Sequence, residues 1–244
     1  MRILVTFTAT QPVRLPIAYN HLVQGMIYRH LPEEMAGFLH GNGFSAESRS
    51  FKLFSFSRFQ GKVSVNQGFI TLTPPFSLVI TSCWGEFLHG LADGLQEDGG
   101  VTFGPARVAL DSIMIEDDQP FDRGAATIRM LSPMTTYSTL TGPDGARKTY
   151  YYSPFEKDFS QMLRVNLINK YEAVCGAPPV DDSFVISPLK VTRQDEKIIQ
   201  YKGFIIKGWL GSYRMQGAPA LLKLAYDAGL GGKNSQGFGC FEVI

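Results

Sequence analysis

Apolar and polar positions change period several times along the chain, and each change predicts an element. Residues 2–9 (RILVTFTA) are apolar and β-branched enough for a first strand. Residues 16–30 carry helical spacing, and a shorter helical piece follows over 33–39. FKLFSFSRF, at 51–59, predicts a strand forming a hairpin with 62–73; a strand over 76–82, a helix over 84–96 and a strand over 107–115 complete this half. The acidic stretch Glu116, Asp117, Asp118, Gln119, Pro120 is turn-like and marks a boundary.

Beyond it the order repeats. A strand is expected over 127–131, then a hairpin joining 135–140 to 147–152 through the turn TGPDG at 141–145. A long helix over 154–175 opens with Ser153 as N-cap and Pro154 at its first position. Strands follow at 184–191, 198–201 and 204–210, the last containing FIIKGW. A helix over 218–228 repeats Leu221, Leu222, Leu224 and Ala225 three and four apart, and 240–244 reads as a closing strand. Each half reads β-α-β-β-α-β, the split βαβ of ferredoxin-like domains. The expected fold is therefore α+β, with tandem ferredoxin-like domains over 1–122 and 123–244. No repeat is visible at the level of sequence.

Between the last helix and the closing strand lies GLGGKNSQGFG, with five glycines in eleven residues. Gly229 falls where a helix C-cap is expected. Gly231, Gly232, Gly237 and Gly239 interleave with Lys233, Asn234, Ser235 and Gln236. Glycine lets backbone approach a ligand closely, and concave backbone with free N–H groups favours anions. A lysine and three polar side chains in the same loop suit a phosphate chain. The run is not a Walker loop, because the GxxxxGK[ST] order is missing and it precedes a strand. It also lacks the strand–GxGxxG–helix context of a dinucleotide fold. A long C-cap turn ending in a β-bulge is the structural alternative.

Composition narrows the class. The 244 residues are 44% hydrophobic and 18% charged, as in a soluble globular protein with a substantial core. No apolar stretch approaches the ~18 residues of a membrane helix, so no membrane partner is expected. The start, MRILVTFTAT, has no basic region ahead of an apolar core, and the cytoplasm is the expected location. Cys83, Cys175 and Cys240 are widely spaced and read as buried free thiols. The net charge of +1 hides an asymmetry: residues 1–122 hold eight basic and twelve acidic side chains, residues 123–244 fifteen and ten. A basic half carrying the glycine-rich loop suggests a polyanion partner.

Candidate chemistry is sparse. Of the four histidines, His89 reads as an ordinary helix-surface residue, and His21 and His30 lie nine apart on one helix without forming a metal pair. His40 differs, because Gly41, Asn42 and Gly43 follow it; it ends a helical piece and enters a loop where a side chain can meet a ligand. Tyr28 lies on the preceding helix and Lys52 at the start of the next strand. Histidine can transfer protons near neutral pH, tyrosine can donate a hydrogen bond, and lysine can stabilise charge developing on phosphorus. Together they would serve metal-free RNA cleavage by a ribose 2′-hydroxyl, although such residues are common. Lys202-Gly203-Phe204 matches only the start of an RNA-recognition signature, which Ile205, Ile206 and Lys207 break. No cluster has metal-ligand spacing.

These residues together resemble the CRISPR-associated endoribonucleases that cut repeat RNA into guide units, within the RAMP superfamily. The resemblance rests on NHLVQGMIYRHL, FLHGNGF, FKLFSFS and, most specifically, the glycine-rich run near the C-terminus. It implies tandem ferredoxin-like domains, with Tyr28, His40 and Lys52 as catalytic residues and His30 in reserve. It implies no cofactor and no metal, and products ending in a 2′,3′-cyclic phosphate and a 5′-hydroxyl. The glycine-rich loop, from Gly229 to Gly239, would bind repeat RNA. Other effector subunits and a second copy of the chain are further candidate partners. A non-catalytic RNA-binding subunit is the alternative, since some members of this family have lost cleavage.

Overall fold

The computed structural model describes residues 1–46, 49–141 and 145–244. The first half runs β1 (Arg2–Thr8), β2 (Val13–Pro16), α1 (Asn20–Arg29), α2 (Glu33–His40), β3 (Phe44–Ala46), β4 (Arg49–Phe51), β5 (Phe54–Phe56), β6 (Gln60–Asn66), β7 (Phe69–Ser82), α3 (Gly85–Asp98), β8 (Gly100–Phe103) and β9 (Ala106–Ile115). Central β1 pairs antiparallel with β7 and β9, and β5 and β6 add to the far edge of β7. Val5, Phe7 and Leu78 from the sheet bury against Val23, Phe87 and Leu91 from the helices.

The second half runs β10 (Ala125–Met130), β11 (Tyr137–Thr141), β12 (Arg147–Tyr151), α4 (Asp158–Cys175), β13 (Phe184–Lys190), β14 (Glu196–Tyr201), β15 (Phe204–Trp209), β16 (Ser212–Gly217), α5 (Pro219–Ala228) and β17 (Phe241–Val243). Its sheet order is β13-β16-β10-β17. Leu163 and Leu167 of α4 and Leu221 and Leu222 of α5 pack on Ile128, Tyr213 and Met215 beneath them. The fold is α+β with tandem ferredoxin-like units, as the hydrophobic periods predict.

Several elements differ from expectation, each for a local reason. Residues 69–82 form one strand through Pro74 and Pro75, not two. The partner register shifts there, from Gly61 opposite Phe76 to Lys62 opposite Thr73, so the prolines break no ladder bond. Residues 51–59 break at Lys52 and Leu53, where Leu53 takes φ 54° and separates β4 from β5. The long helix begins at Asp158, not Pro154. Ser153 closes a separate turn: its Oγ accepts from the Phe155 N–H, and its own N–H donates to Glu156 Oε1.

The largest difference concerns the second sheet. The apolar strands β14 and β15 form a hairpin outside this sheet, bridged to Met134 through Trp209, while Phe204 and Ile205 stay exposed. The inner strand is β16, SYRMQG, where only Tyr213 and Met215 point inward. Of the predicted turn TGPDG, residues 142–144 lie outside the described residues. The cysteines are free, but only Cys240 is buried; Cys83 is half-buried and Cys175 exposed at the end of α4. No helix among the described residues is long and apolar enough to cross a membrane.

Candidate functional site

Tyr28 lies in the last turn of α1 and His40 is the final residue of α2. The connection between the helices is short, and buried Leu31 anchors it in the first core ahead of Pro32, the residue at the N-cap of α2. The two rings are thereby stacked at a tilt, with centroids 4.4 Å apart. His40 is exposed, whereas Tyr28 is half-buried against Phe54. Burial, aided by nearby Tyr201, pushes the Tyr28 phenol up to about 12. It therefore remains a protonated donor throughout the neutral range.

The break at Leu53 turns Lys52 toward the end of α2. Its Nζ donates to the Gly41 carbonyl at 3.2 Å, one residue past His40. Partial burial lowers its pKa from the ordinary lysine value. The structure thus brings Tyr28, His40 and Lys52 to one corner of the first half. His30 is not part of that corner. It is buried, with Nδ1 2.8 Å from the Met26 carbonyl and Nε2 3.0 Å from the Asp98 carboxylate, tying α1 to α3. His89 is exposed on α3, as expected.

A cleft of about 500 Å³ opens beside Tyr28 and His40, and its wall includes His21, Gln24, Arg29 and Lys202. The sequence held a signal for His21 and Gln24, which stand seven and four residues before Tyr28 and so share its helix face. It held none for Lys202, which arrives from the other half. Lys202 and Gly203 form the tip of the β14–β15 hairpin with positive φ at both positions, as a two-residue hairpin turn demands. Tyr201, just before the tip, hydrogen-bonds Gln24 of α1.

The glycine-rich loop lies against the other side of this corner. α5 ends where predicted, with the Gly229 N–H donating to the Ala225 carbonyl. Gly229, Gly231, Asn234, Gly237 and Gly239 are buried, while Gly232, Lys233, Ser235 and Gln236 are partly exposed. The glycines meet a demand from inside the chain. At Gly231, φ is +69° and a Cβ would stand 2.2 Å from the Thr135 carbonyl oxygen; at Gly239, φ is +82° and the contact is 2.0 Å from that of Leu230.

Polar side chains hold the loop. Buried Lys170 of α4 donates from Nζ to the Gly229 and Gly231 carbonyls and to Asn234 Oδ1, at 2.6, 2.9 and 2.8 Å. Asn234 Nδ2 donates to the Leu230 and Phe238 carbonyls, each at 3.0 Å. From the first half, Asn20 donates to the Gln236 carbonyl at 2.7 Å, Gln24 to that of Ser235 and Ser55 to that of Phe238, both at 2.8 Å. The loop is a wedge between the halves, and its polar turn faces a second cavity of about 590 Å³. Arg49, Lys52, Lys170 and Lys233 are in that cavity's wall, so Lys52 joins it to the Tyr28–His40 corner. Among the described residues, no three His, Cys, Asp or Glu side chains are grouped to hold a metal ion.

Two cationic depressions flanking a tyrosine–histidine pair suit a phosphodiester chain. The family profile described as CRISPR associated protein Cas6, C-terminal, matches residues 116–243. The CRISPR-associated endoribonuclease Cas6 of Pyrococcus furiosus is 27% identical over 238 residues, covering 94% of this chain and 84% of that one. Among solved structures, a Cas6-related protein of Pyrococcus furiosus superposes with a TM-score of 0.86 at 21% identity, covering 100% of this chain and 98% of the other. A RAMP protein described as binding different RNA substrates gives 0.85 at 23% identity, covering 100% and 99%.

Proposed function

The chain belongs to the Cas6 family of CRISPR-associated proteins, and from that premise we propose that it is an endoribonuclease cleaving CRISPR repeat RNA into guide units. The observation that carries this reading is the convergence of Tyr28, His40 and Lys52 at one corner, beside a cavity lined by cations. A subunit that only bound RNA would need the cations but not the ring pair. The Cas6 of Pyrococcus furiosus, named an endoribonuclease, supports the same choice.

The chemistry is transesterification. A ribose 2′-hydroxyl gives its proton to a base and attacks the adjacent phosphorus; the O2′–P bond forms as the P–O5′ bond breaks. The leaving 5′-oxygen takes a proton, and the products end in a 2′,3′-cyclic phosphate and a 5′-hydroxyl. Exposed His40 is assigned to proton transfer. Tyr28, neutral up to about 12, donates a hydrogen bond or proton and cannot serve as a preformed base. Lys52 stabilises charge on the phosphoryl oxygens. The partly exposed face of the glycine-rich loop, with Lys233, holds the RNA backbone.

In this reading cleavage of repeat RNA persists in excess chelator, and a 2′-deoxy nucleotide on the 5′ side of the scissile phosphate abolishes cutting while leaving binding intact. A strict divalent-ion requirement would remove the metal-free mechanism. Cutting of the deoxy substrate would remove internal attack by the ribose.

A further inference from the structure

Among the described residues, the wall of the cleft that holds both Tyr28 and His40 does not include Lys52, which lines the other cavity. Two other cations, Arg29 and Lys202, do line it, and no carboxylate belongs to that wall. Arg29 is already committed: its Nε donates to the Gly25 carbonyl at 3.2 Å and its Nη2 to that of Thr102 at 3.0 Å. Lys202 differs. Its side chain is exposed, and among the described residues its ammonium group has neither a hydrogen bond nor an ion pair. The nitrogen lies 5.7 Å from the centre of the Tyr201 ring, whose hydroxyl reaches into α1.

The hairpin holds Lys202 there against its local preference. At φ 46° the residue is in the left-handed region, which Asn, Asp or Gly fills in a two-residue hairpin turn and which lysine adopts only with strain. Packing fixes the tip in place. The Tyr201 hydroxyl donates to Gln24 Oε1, and Gln24 in turn donates to the Ser235 carbonyl at 2.8 Å. Tyr201 and Ile206 bury against Phe238 of the glycine-rich loop. Hairpin, α1 and loop are thus fastened together beside Tyr28, and a strained lysine stands at the point of contact. Turn geometry alone does not call for that side chain; the cleft does.

Resting on the endoribonuclease reading above, we infer that Lys202 is a further catalytic residue, whose ammonium group contacts the non-bridging oxygens of the scissile phosphate. Those oxygens gain negative charge as O2′ attacks and lose it again as O5′ leaves. An ammonium group with no carboxylate beside it favours the charged state, and does so more strongly than it favours the bound substrate. Lys52 comes to the same corner from the first half, Lys202 from the second. The catalytic centre is therefore complete only when the two halves are docked.

Lys202→Asn separates this role from a structural one, because asparagine suits the turn better than lysine does. Its midpoint in urea should equal or exceed that of wild type. Single-turnover cleavage of repeat RNA, followed against protein concentration, should show a saturating rate lower by about 10²-fold. The half-saturating concentration should change little, since the lost contact belongs to the transition state. Lys202→Arg keeps the charge and should recover most of the rate. Should Lys202→Asn fold poorly, Lys202→Gly also accepts this φ and carries the same test. A wild-type saturating rate in the folded variant, or a loss confined to the half-saturating concentration, overturns the assignment and leaves the endoribonuclease reading standing. A Lys202→Arg protein as slow as Lys202→Asn overturns the electrostatic role. Wild-type protein that binds repeat RNA without cutting it overturns both readings.

Discussion

At the scale of single residues, the difference between Tyr28 and His40 is one of solvation. Both lie in the same ring pair, yet burial raises the phenol to about 12 while the imidazole stands in solvent. A group exposed to water can exchange protons with it after each turnover; a buried phenol is better suited to orientation and donation. His40→Ala should accordingly lower single-turnover cleavage of repeat RNA by about 10²–10⁴-fold with little change in RNA affinity. Tyr28→Phe should lose less, because the ring still packs on Phe54 and only the hydroxyl is gone. A His40→Ala protein that cuts at the wild-type rate would remove the assignment. His30 is a poor substitute, because its ring nitrogens already contact Met26 and Asp98.

At the scale of elements, α4 and the glycine-rich loop depend on one buried ammonium group. Lys170 supplies donors to three acceptors of the loop, and its own burial lowers its pKa to about 7 from 10.5. Lys170→Met would strand those acceptors and should destabilise the protein by roughly 2 kcal/mol or more. The pH dependence has a definite sign. Below pH 7 folded and unfolded chains both hold the proton, and the penalty for burying the charge is present in full. Between about 7 and 10.5 only the unfolded chain holds it, so stability from this group rises with pH. In urea unfolding, the advantage of wild type over Lys170→Met should therefore widen from pH 7 to pH 9; a flat or narrowing gap contradicts this account.

At the scale of the whole molecule, the halves share a polar interface built by residues far apart in the chain. Arg2, buried in β1, donates to the Phe241 carbonyl at 2.7 Å. Thr81 donates to the Tyr226 and Asp227 carbonyls at 3.0 and 2.8 Å, and the N-terminal ammonium pairs with Asp227 at 2.6 Å. Buried bonds of this kind couple the stability of the two sides. Each half carries one tryptophan, Trp84 and Trp209, so Trp84→Phe and Trp209→Phe proteins report the halves separately by fluorescence. Their urea transitions should coincide, and Arg2→Leu should lower both midpoints together. Two well-separated midpoints would show that the halves unfold independently.

Much of this was legible in the sequence because it depends on local pattern. Helical spacing located α1, α2, α3 and α5, and the glycine after α5 marked its end, since a helix terminus is a property of neighbouring residues. Tyr28, His40 and Lys52 could be singled out by residue type and resemblance. Their meeting could not be read there, because it depends on the Leu53 break and on how α2 packs. Apolar content also misdirected the reading of the second sheet. FIIKGW became a hairpin that leaves Phe204 and Ile205 in solvent, and the less apolar SYRMQG took the central position. Strand propensity records what fits a pleated surface, whereas the choice of partner depends on the core that forms. Tertiary structure alone decided the role of Lys170 and the arrival of Lys202 beside Tyr28. Burial and hydrogen-bond satisfaction involve partners up to hundreds of residues away, and sequence spacing carries no record of them.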